Sequence, residues 1–200
     1  MNRSQTLTTA LRAEHSETRL RAALDAGIGR EPGMLEVLID RCGTEPDFYV
    51  RDMLTWAIAR YPVDETVPAV IAELGSGTPQ ARSQALHTLS KIGDDSAWPA
   101  ISRELLTDPD YETARCAWRA AVALVPEQEI TALAAILATQ FGRGDADMYR
   151  SLSRAFVALG DAAEPVVAHA QQSADPVVRG HAAATEQLMA DPESAFVYGR

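Results

Sequence analysis

The sequence predicts an all-α fold, a right-handed α-solenoid of about five to six helix pairs. The first reason is an arginine that recurs at the start of successive apolar helices, with spacings of 32, 31, 33, 35 and 29 residues. The positions are Arg19, Arg51, Arg82, Arg115, Arg150 and Arg179. The second reason is that apolar residues follow a three- and four-residue spacing, while no segment alternates with period two. Because a helix pair of this size buries its apolar face only by stacking on neighbours, we expect a repeat array without a sheet.

The arginine helices carry recognisable start signals. An oxygen-bearing side chain caps the free N–H groups of a first turn, and proline fits there because its missing N–H would have no partner. Such starts are predicted at Asp47, Thr78-Pro79, Asp108-Pro109 and Asp175-Pro176. The intervening partner helices are predicted to begin near a second set of prolines, which keep the same repeat phase. These are Pro68, Pro99 and Pro165.

The repeat period makes residues 1–200 one repeat domain. Full repeats are predicted at approximately 16–47, 48–79, 80–110, 111–145 and 146–176. A terminal half repeat, 177–190, is expected to cap the array, and an irregular tail, 191–200, follows because Pro192 breaks the helical pattern. Two glycine pairs are interpreted as breaks between helices. They are Gly27 with Gly29 and Gly142 with Gly144.

Three strings at these helix starts resemble HEAT repeats of a bacterial, phycobilin-lyase-like subtype. They span residues 47–57, 80–94 and 175–182. The shared pattern is an Asp-Pro-x-Val-Arg start, small residues three and six positions after the arginine, and a Gly-Asp exit. The resemblance covers roughly residues 16–190 and extends to small actinobacterial HEAT-repeat proteins whose role is not established. It implies a solenoid fold and carries over no chromophore-handling residue.

The charge balance argues against nucleic acid as a partner. The chain has 18 basic and 28 acidic residues, a net charge of −10. HEAT-like solenoids include DNA glycosylases, but a protein that wraps a duplex needs a basic track to neutralise phosphates. We therefore expect no duplex binding. The recurring arginines are instead expected to form a structural ladder that bonds carboxylates and carbonyls in the turns of the same or adjacent repeats.

The sequence also lacks signals for a membrane or a secretory route. No segment approaches eighteen uninterrupted apolar residues, and residues 1–9 are polar without an apolar signal core. These features predict a cytoplasmic protein that does not associate with membranes, and we expect a monomer or weak dimer. Cys42 and Cys116 lie in different repeats without a CxxC partner, which predicts two reduced and mostly buried thiols.

No motif predicts a metal, a cofactor or a catalytic residue. The histidines lie in four different repeats without paired metal-ligand spacing. They are His15, His87, His169 and His181. The paired acids at Asp94-Asp95 and at Asp108 with Asp110 occupy turns between helices, where carboxylates cap helix starts. We therefore interpret these acids as structural.

The candidate site is a face of the arginine helices, which line the concave side of a HEAT solenoid. Residues one, five and nine positions after the arginine share one side of a helix. In two neighbouring repeats these are Asp52, Trp56 and Arg60, and Ser83, His87 and Lys91. Trp and Arg are common in binding hot spots, so this face is a candidate partner site. The alternative is that Trp56 fills the core between repeats. Trp98 and Trp118, within apolar helices, are predicted core residues.

Two functions fit this sequence. The first is a non-catalytic scaffold or adaptor that holds a protein or peptide on its concave surface. The alternative is an enzyme or small-ligand carrier, lyase-like, with a cavity near Trp56, His87 and Arg119. An open groove would favour the first, and a closed apolar pocket with converging polar groups would favour the second.

Overall fold

The computed structural model describes residues 2–193, which form twelve α-helices joined by turns and short 3-10 segments. The helices are α1 (Arg3–Ala10), α2 (Ser16–Gly29), α3 (Leu35–Thr44), α4 (Phe48–Ile58), α5 (Val63–Ala72), α6 (Pro79–Ile92), α7 (Arg103–Leu106), α8 (Tyr111–Leu124), α9 (Ile130–Ala138), α10 (Ala146–Leu159), α11 (Glu164–Ala170) and α12 (Pro176–Ala190). Within this range there is no strand, so the all-α prediction is confirmed. The predicted tail, 191–200, lies outside the described residues from position 194 onward. None of the described helices has the length and apolar character needed to span a bilayer.

The six recurring arginines lie on the even-numbered helices, α2 to α12. Three predicted caps are confirmed, because the side chains of Asp47, Thr78 and Asp175 accept first-turn N–H groups of α4, α6 and α12. The predicted start at Asp108-Pro109 is wrong. There Asp108 accepts the N–H of Asp110 at 2.8 Å, which closes a turn ahead of the helix, and Asp110 caps α8.

Some of the other predicted helix starts and helix breaks lie elsewhere in the structure. Pro165 does lie in the first turn of α11, but Pro68 lies five residues inside α5, and Pro99 belongs to a 3-10 segment, Asp95–Ala100. Trp98, in the same 3-10 segment, is only half-buried, so its prediction as a core residue is wrong. Gly27 lies inside α2 and does not separate two helices.

The helices form six successive pairs in residues 2–193, with an arginine helix as the second member of each pair. The first pair includes α1, which the sequence did not predict. Its capping box, formed by the side chains of Asn2 and Gln5, organises a helix of weak amphipathic character. In the last pair of the described residues, α12 packs against α11.

The chain forms two compact units, divided between Ala100 and Ile101. The first unit holds α1 to α6 and the second holds α7 to α12. In the second unit Trp118 is fully buried, as predicted, and its indole N–H donates to the carbonyl of Leu106 at 2.8 Å. Leucines and alanines dominate both interiors, because small residues let neighbouring helices approach closely.

Candidate partner-binding face

Four of the recurring arginines bond to the turn ahead of their own helix. Each guanidinium Nη1 donates to carbonyls five or six residues upstream, over 2.6 to 3.0 Å. These arginines are Arg19, Arg51, Arg82 and Arg179. Arg115 and Arg150 instead pair with Glu112 and Asp147, one turn back on their own helices, at 3.5 and 2.8 Å. The first arrangement ties a helix to its preceding turn.

Glu45, in the turn between α3 and α4, is the centre of a buried ion cluster in the first unit. Its carboxylate accepts two hydrogen bonds from Arg19 at 2.7 and 2.8 Å, bonds from Arg41, and the N–H of Asp47 at 2.9 Å. Burial acts to raise the pKa of Glu45, but these hydrogen bonds outweigh it and lower the pKa to about 2. The cluster therefore holds the starts of α2 and α4 together.

Direct contacts show that α2 and α4 run parallel. At one end Arg19, early in α2, bonds Glu45 just ahead of α4. At the other end, a Cβ placed on Gly27 would lie 2.8 Å from the Cα of Ala57. Positions 27 and 57 therefore lie at the same height along the two parallel helix axes. Each residue near the end of α2 is then level with the residue thirty positions later on α4.

The next pair of arginine helices, α4 and α6, is also parallel. The amide of Gln80, in the first turn of α6, donates to the carbonyl of Glu45 ahead of α4 at 2.8 Å. Farther along, the hydroxyl oxygens of Thr55 and Thr88 are 3.4 Å apart between the two helices. The three helices therefore present equivalent positions side by side.

Trp56 lies across α2 and remains partly open to solvent. A Cβ on Gly27 would be only 2.6 Å from Cζ3 of the indole, so the absence of a side chain at Gly27 makes room for the ring. The side chain is 39% exposed, which does not fit the alternative in which Trp56 fills the core. Arg60, one turn later, lies over the ring with its Cζ 5.6 Å from the centroid. Trp56 and Arg60 thus form a supported aromatic and cationic surface.

The other predicted site residues divide into exposed and buried positions. Asp52 and Lys91 are exposed, and His87 is half-buried. Ser83 is only 3% exposed, and its hydroxyl donates to the carbonyl of Gln80, so its expected exposure is wrong. It lies in the first part of α6, which packs closely against the end of α3.

The sequence prediction missed the contribution of α2 to this face. Leu20, Leu24 and Ile28 occupy the same one, five and nine positions after Arg19, and Ile28 is 62% exposed. An open groove of about 470 Å³ lies between α2 and the start of α4. Its lining includes Leu20, Leu24 and the exposed Tyr49. Applying the arginine offset to the first repeat would have found these aliphatic residues.

Arg119, part of the alternative site, belongs to the second unit, whereas Trp56 and His87 belong to the first. Its guanidinium lies 3.3 Å from both the Glu112 carboxylate and the Cys116 sulfur on its own helix. Burial raises the pKa of the Cys116 thiol to about 12. Among residues 2–193, no three His, Cys, Asp or Glu side chains are grouped to hold a metal ion.

Both cysteines are free and buried, as predicted. Burial raises the pKa of Cys42 to about 11, which keeps the thiol protonated at neutral pH. Its sulfur lies 3.9 Å from the Thr55 hydroxyl, inside the seam between α3, α4 and α6. Cys42 is therefore part of the support beneath the face and not a nucleophile on it.

Comparison with known proteins agrees with this geometry. Residues 35–114, from α3 into α8, match the HEAT repeats family. This stretch, less than half of the chain, is similar to HEAT repeats. The resemblance predicted from the sequence is thereby confirmed, and no curated protein matches the chain. The matched stretch includes the two helices that carry Trp56 and His87.

Solved structures with this fold cover nearly the whole chain at low identity. An engineered protein is 18% identical, with 98% of this chain and 100% of that chain covered and a TM-score of 0.51. The CpcE and CpcF complex of phycocyanin lyase from Nostoc sp. PCC7120 is 17% identical, with coverages of 94% and 77% and a TM-score of 0.53. The karyopherin Kap121p is 18% identical, with 90% of this chain covered and a TM-score of 0.61, but the match spans only 22% of Kap121p. At these identities the likeness shows the HEAT solenoid fold alone.

Proposed function

We propose that this protein is a non-catalytic scaffold or adaptor that binds a protein or peptide on the exposed face of α2, α4 and α6. The observation that carries the proposal is the Trp56 side chain. It is 39% exposed, it is stacked by Arg60, and Gly27 supports its ring from beneath. Exposed tryptophan and arginine side chains supply much of the binding energy in protein interfaces.

The support beneath Trp56 favours binding because the side chain is already held in one orientation. A partner that covers the indole loses little additional rotamer entropy on the side of this protein. The Glu45 cluster and the Thr55–Thr88 contact hold the three helices in register around it. Rigid helices also position side chains more accurately than loops do.

The groove between α2 and the start of α4 is open, which favours a peptide over an enclosed small molecule. It has a volume of about 470 Å³, and its lining combines Leu20, Leu24 and Tyr49 with the charged residues Glu17, Arg21 and Asp47. Two solved HEAT structures of the same fold also hold proteins, namely CpcE with CpcF and Kap121p with the extreme C-terminus of Cdc14p. We extend this mode of binding to the present chain.

The proposal is tested by capturing partners from native lysate with the parent protein and with a Trp56→Ala, His87→Ala variant. We expect the captured partner to bind the variant about thirtyfold more weakly, equal to about 2 kcal/mol. Tyr111→Ala is the control, because Tyr111 is also an exposed aromatic residue but lies on α8. Equal binding of the partner by the parent and the folded double variant would contradict the proposed face.

A further inference from the structure

Three exposed cations mark the same end of the arginine helices in the first unit. Arg30 follows α2, Arg60 follows α4, and Lys91 lies in the last turn of α6, with spacings of 30 and 31 residues. Because positions 27 and 57 are level, Arg30 is level with Arg60. Because Thr55 meets Thr88, Lys91 lies within about one turn of Arg60 along the helices. Arg30, however, lines a separate pocket together with Glu36 and Glu65. The name cation row is therefore used here for Arg60 and Lys91, which each lie nine positions after the arginine of their helix.

The cation row forms no ion pair within residues 2–193. Neither Arg60 nor Lys91 is paired with a carboxylate there, whereas Arg19 and Arg41 are paired with Glu45. A cation also stabilises a helix C-terminus through the helix dipole, which accounts for one charge at each helix end. The dipole does not account for the stacking of Arg60 on Trp56 or for the exposed Ile28 nearby.

The opposite end of the face carries charges of both signs, and the middle is apolar. Glu17 and Arg21 lie in the first half of α2, and Asp47 and Asp52 lie at the start of α4. Between the two ends are the aliphatic row of α2, from Leu20 to Ile28, and Trp56.

We propose that this face binds a peptide segment with an apolar anchor for the groove and acidic side chains for the cation row. The inference rests on the proposed function and deepens it by naming the chemistry of the partner. The groove residue Tyr49 and Arg60 are eleven positions apart on and just beyond α4. That separation is about 16 Å along a helix axis, which about five residues of extended peptide would span.

A peptide satisfies this surface better than a nucleic acid does. The aliphatic side chains of Leu24 and Ile28 require apolar groups from the ligand, which a phosphate backbone lacks. The carboxylates of Glu17 and Asp47, at the end away from the cation row, repel a uniform polyanion but tolerate a segment whose acidic residues are confined to the cation row.

The experiment selects binders from a random dodecapeptide display library on the full-length chain and, in parallel, on an Arg60→Glu, Lys91→Glu variant. The parent is expected to enrich peptides with an apolar residue four to six positions from acidic residues, and the charge-reversed variant to enrich basic residues there. A synthetic acidic peptide from the parent pool should bind the reversed variant about tenfold more weakly. The matched control is Arg103→Glu, Arg154→Glu, which makes the same change in net charge on the second unit.

The outcomes separate this inference from the proposed function. Peptides that lose affinity with Trp56→Ala but not with the Arg60 and Lys91 reversals would overturn the acidic motif and leave the proposed function standing. Peptides that bind every folded variant equally would overturn both. A duplex DNA probe that binds the cation row more tightly than the acidic peptide would overturn the inference in favour of phosphate recognition.

Discussion

The Glu45 cluster predicts that a nearly isosteric substitution in a turn will strongly destabilise the first unit. Glu45→Gln keeps the shape of the side chain but removes the negative charge opposite Arg19 and Arg41. Arg19 is 8% exposed at its side chain and Glu45 is 0% exposed, so the remaining cation cannot be fully solvated. Removing one member of a buried ion pair costs about 3–5 kcal/mol. We expect about 3 kcal/mol here, because Arg19 keeps its bonds to the carbonyls of Ala13 and Glu14.

The assay is urea unfolding followed by circular dichroism, with Glu31→Gln as the control. Glu31 also pairs with an arginine, Arg3, but over 3.4 Å and with both side chains partly exposed. Such a pair contributes about 0–1 kcal/mol, so the midpoint of the control should shift little. An unchanged urea midpoint for Glu45→Gln would refute the reasoning, because it would show that solvent can replace the lost carboxylate beside Arg19.

The pH dependence gives a second readout of the same cluster. The pKa of Glu45 is about 2 in the folded chain, below its ordinary value of 4.5. Its contribution to stability is therefore present above about pH 4.5 and is lost as the pH falls toward 2. The parent should lose stability over this window more steeply than Glu45→Gln does. Parallel acid profiles for the two proteins would also contradict the assignment.

Two further perturbations test the packing in each unit. Gly27→Ala should lower stability by about 1–3 kcal/mol and shift the Trp56 emission, because the new Cβ meets both the indole and the α4 backbone. Gly29→Ala is the control and should do neither, because its Cβ meets only the ends of the Arg3 and Glu31 side chains. A stabilised Gly27→Ala would contradict the predicted clash. In the second unit, burial lowers the pKa of His181 to about 4, so stability is full above about pH 6.5 and falls by about 3 kcal/mol as the pH drops to 4. His181→Gln should lack this pH dependence. An NMR titration in which the His181 imidazole of the folded chain titrates near pH 6.5 would refute the prediction.

The expected exposure of the candidate face is found at its three positions on and just beyond α4 and fails at Ser83 on α6. Trp56 and Arg60 share a side of one helix because helical periodicity alone puts residues four apart together. Whether a residue at such a position is exposed depends on the neighbouring helix, and Ser83 is covered while the equivalent Asp52 is not. The same dependence explains why the half-buried Trp98 was placed in the core.

By itself the sequence determined the all-α repeat, most of the helix caps and the chain position of every arginine helix, because these follow from local chemistry and from a period that recurs along the chain. Only the tertiary structure decided the role of Gly27 beneath Trp56, the convergence of Arg19 and Arg41 on Glu45, and the alignment of the cation row. Each of these joins residues from different helices. Their meeting depends on how the helices pack, which spacing along one helix does not specify.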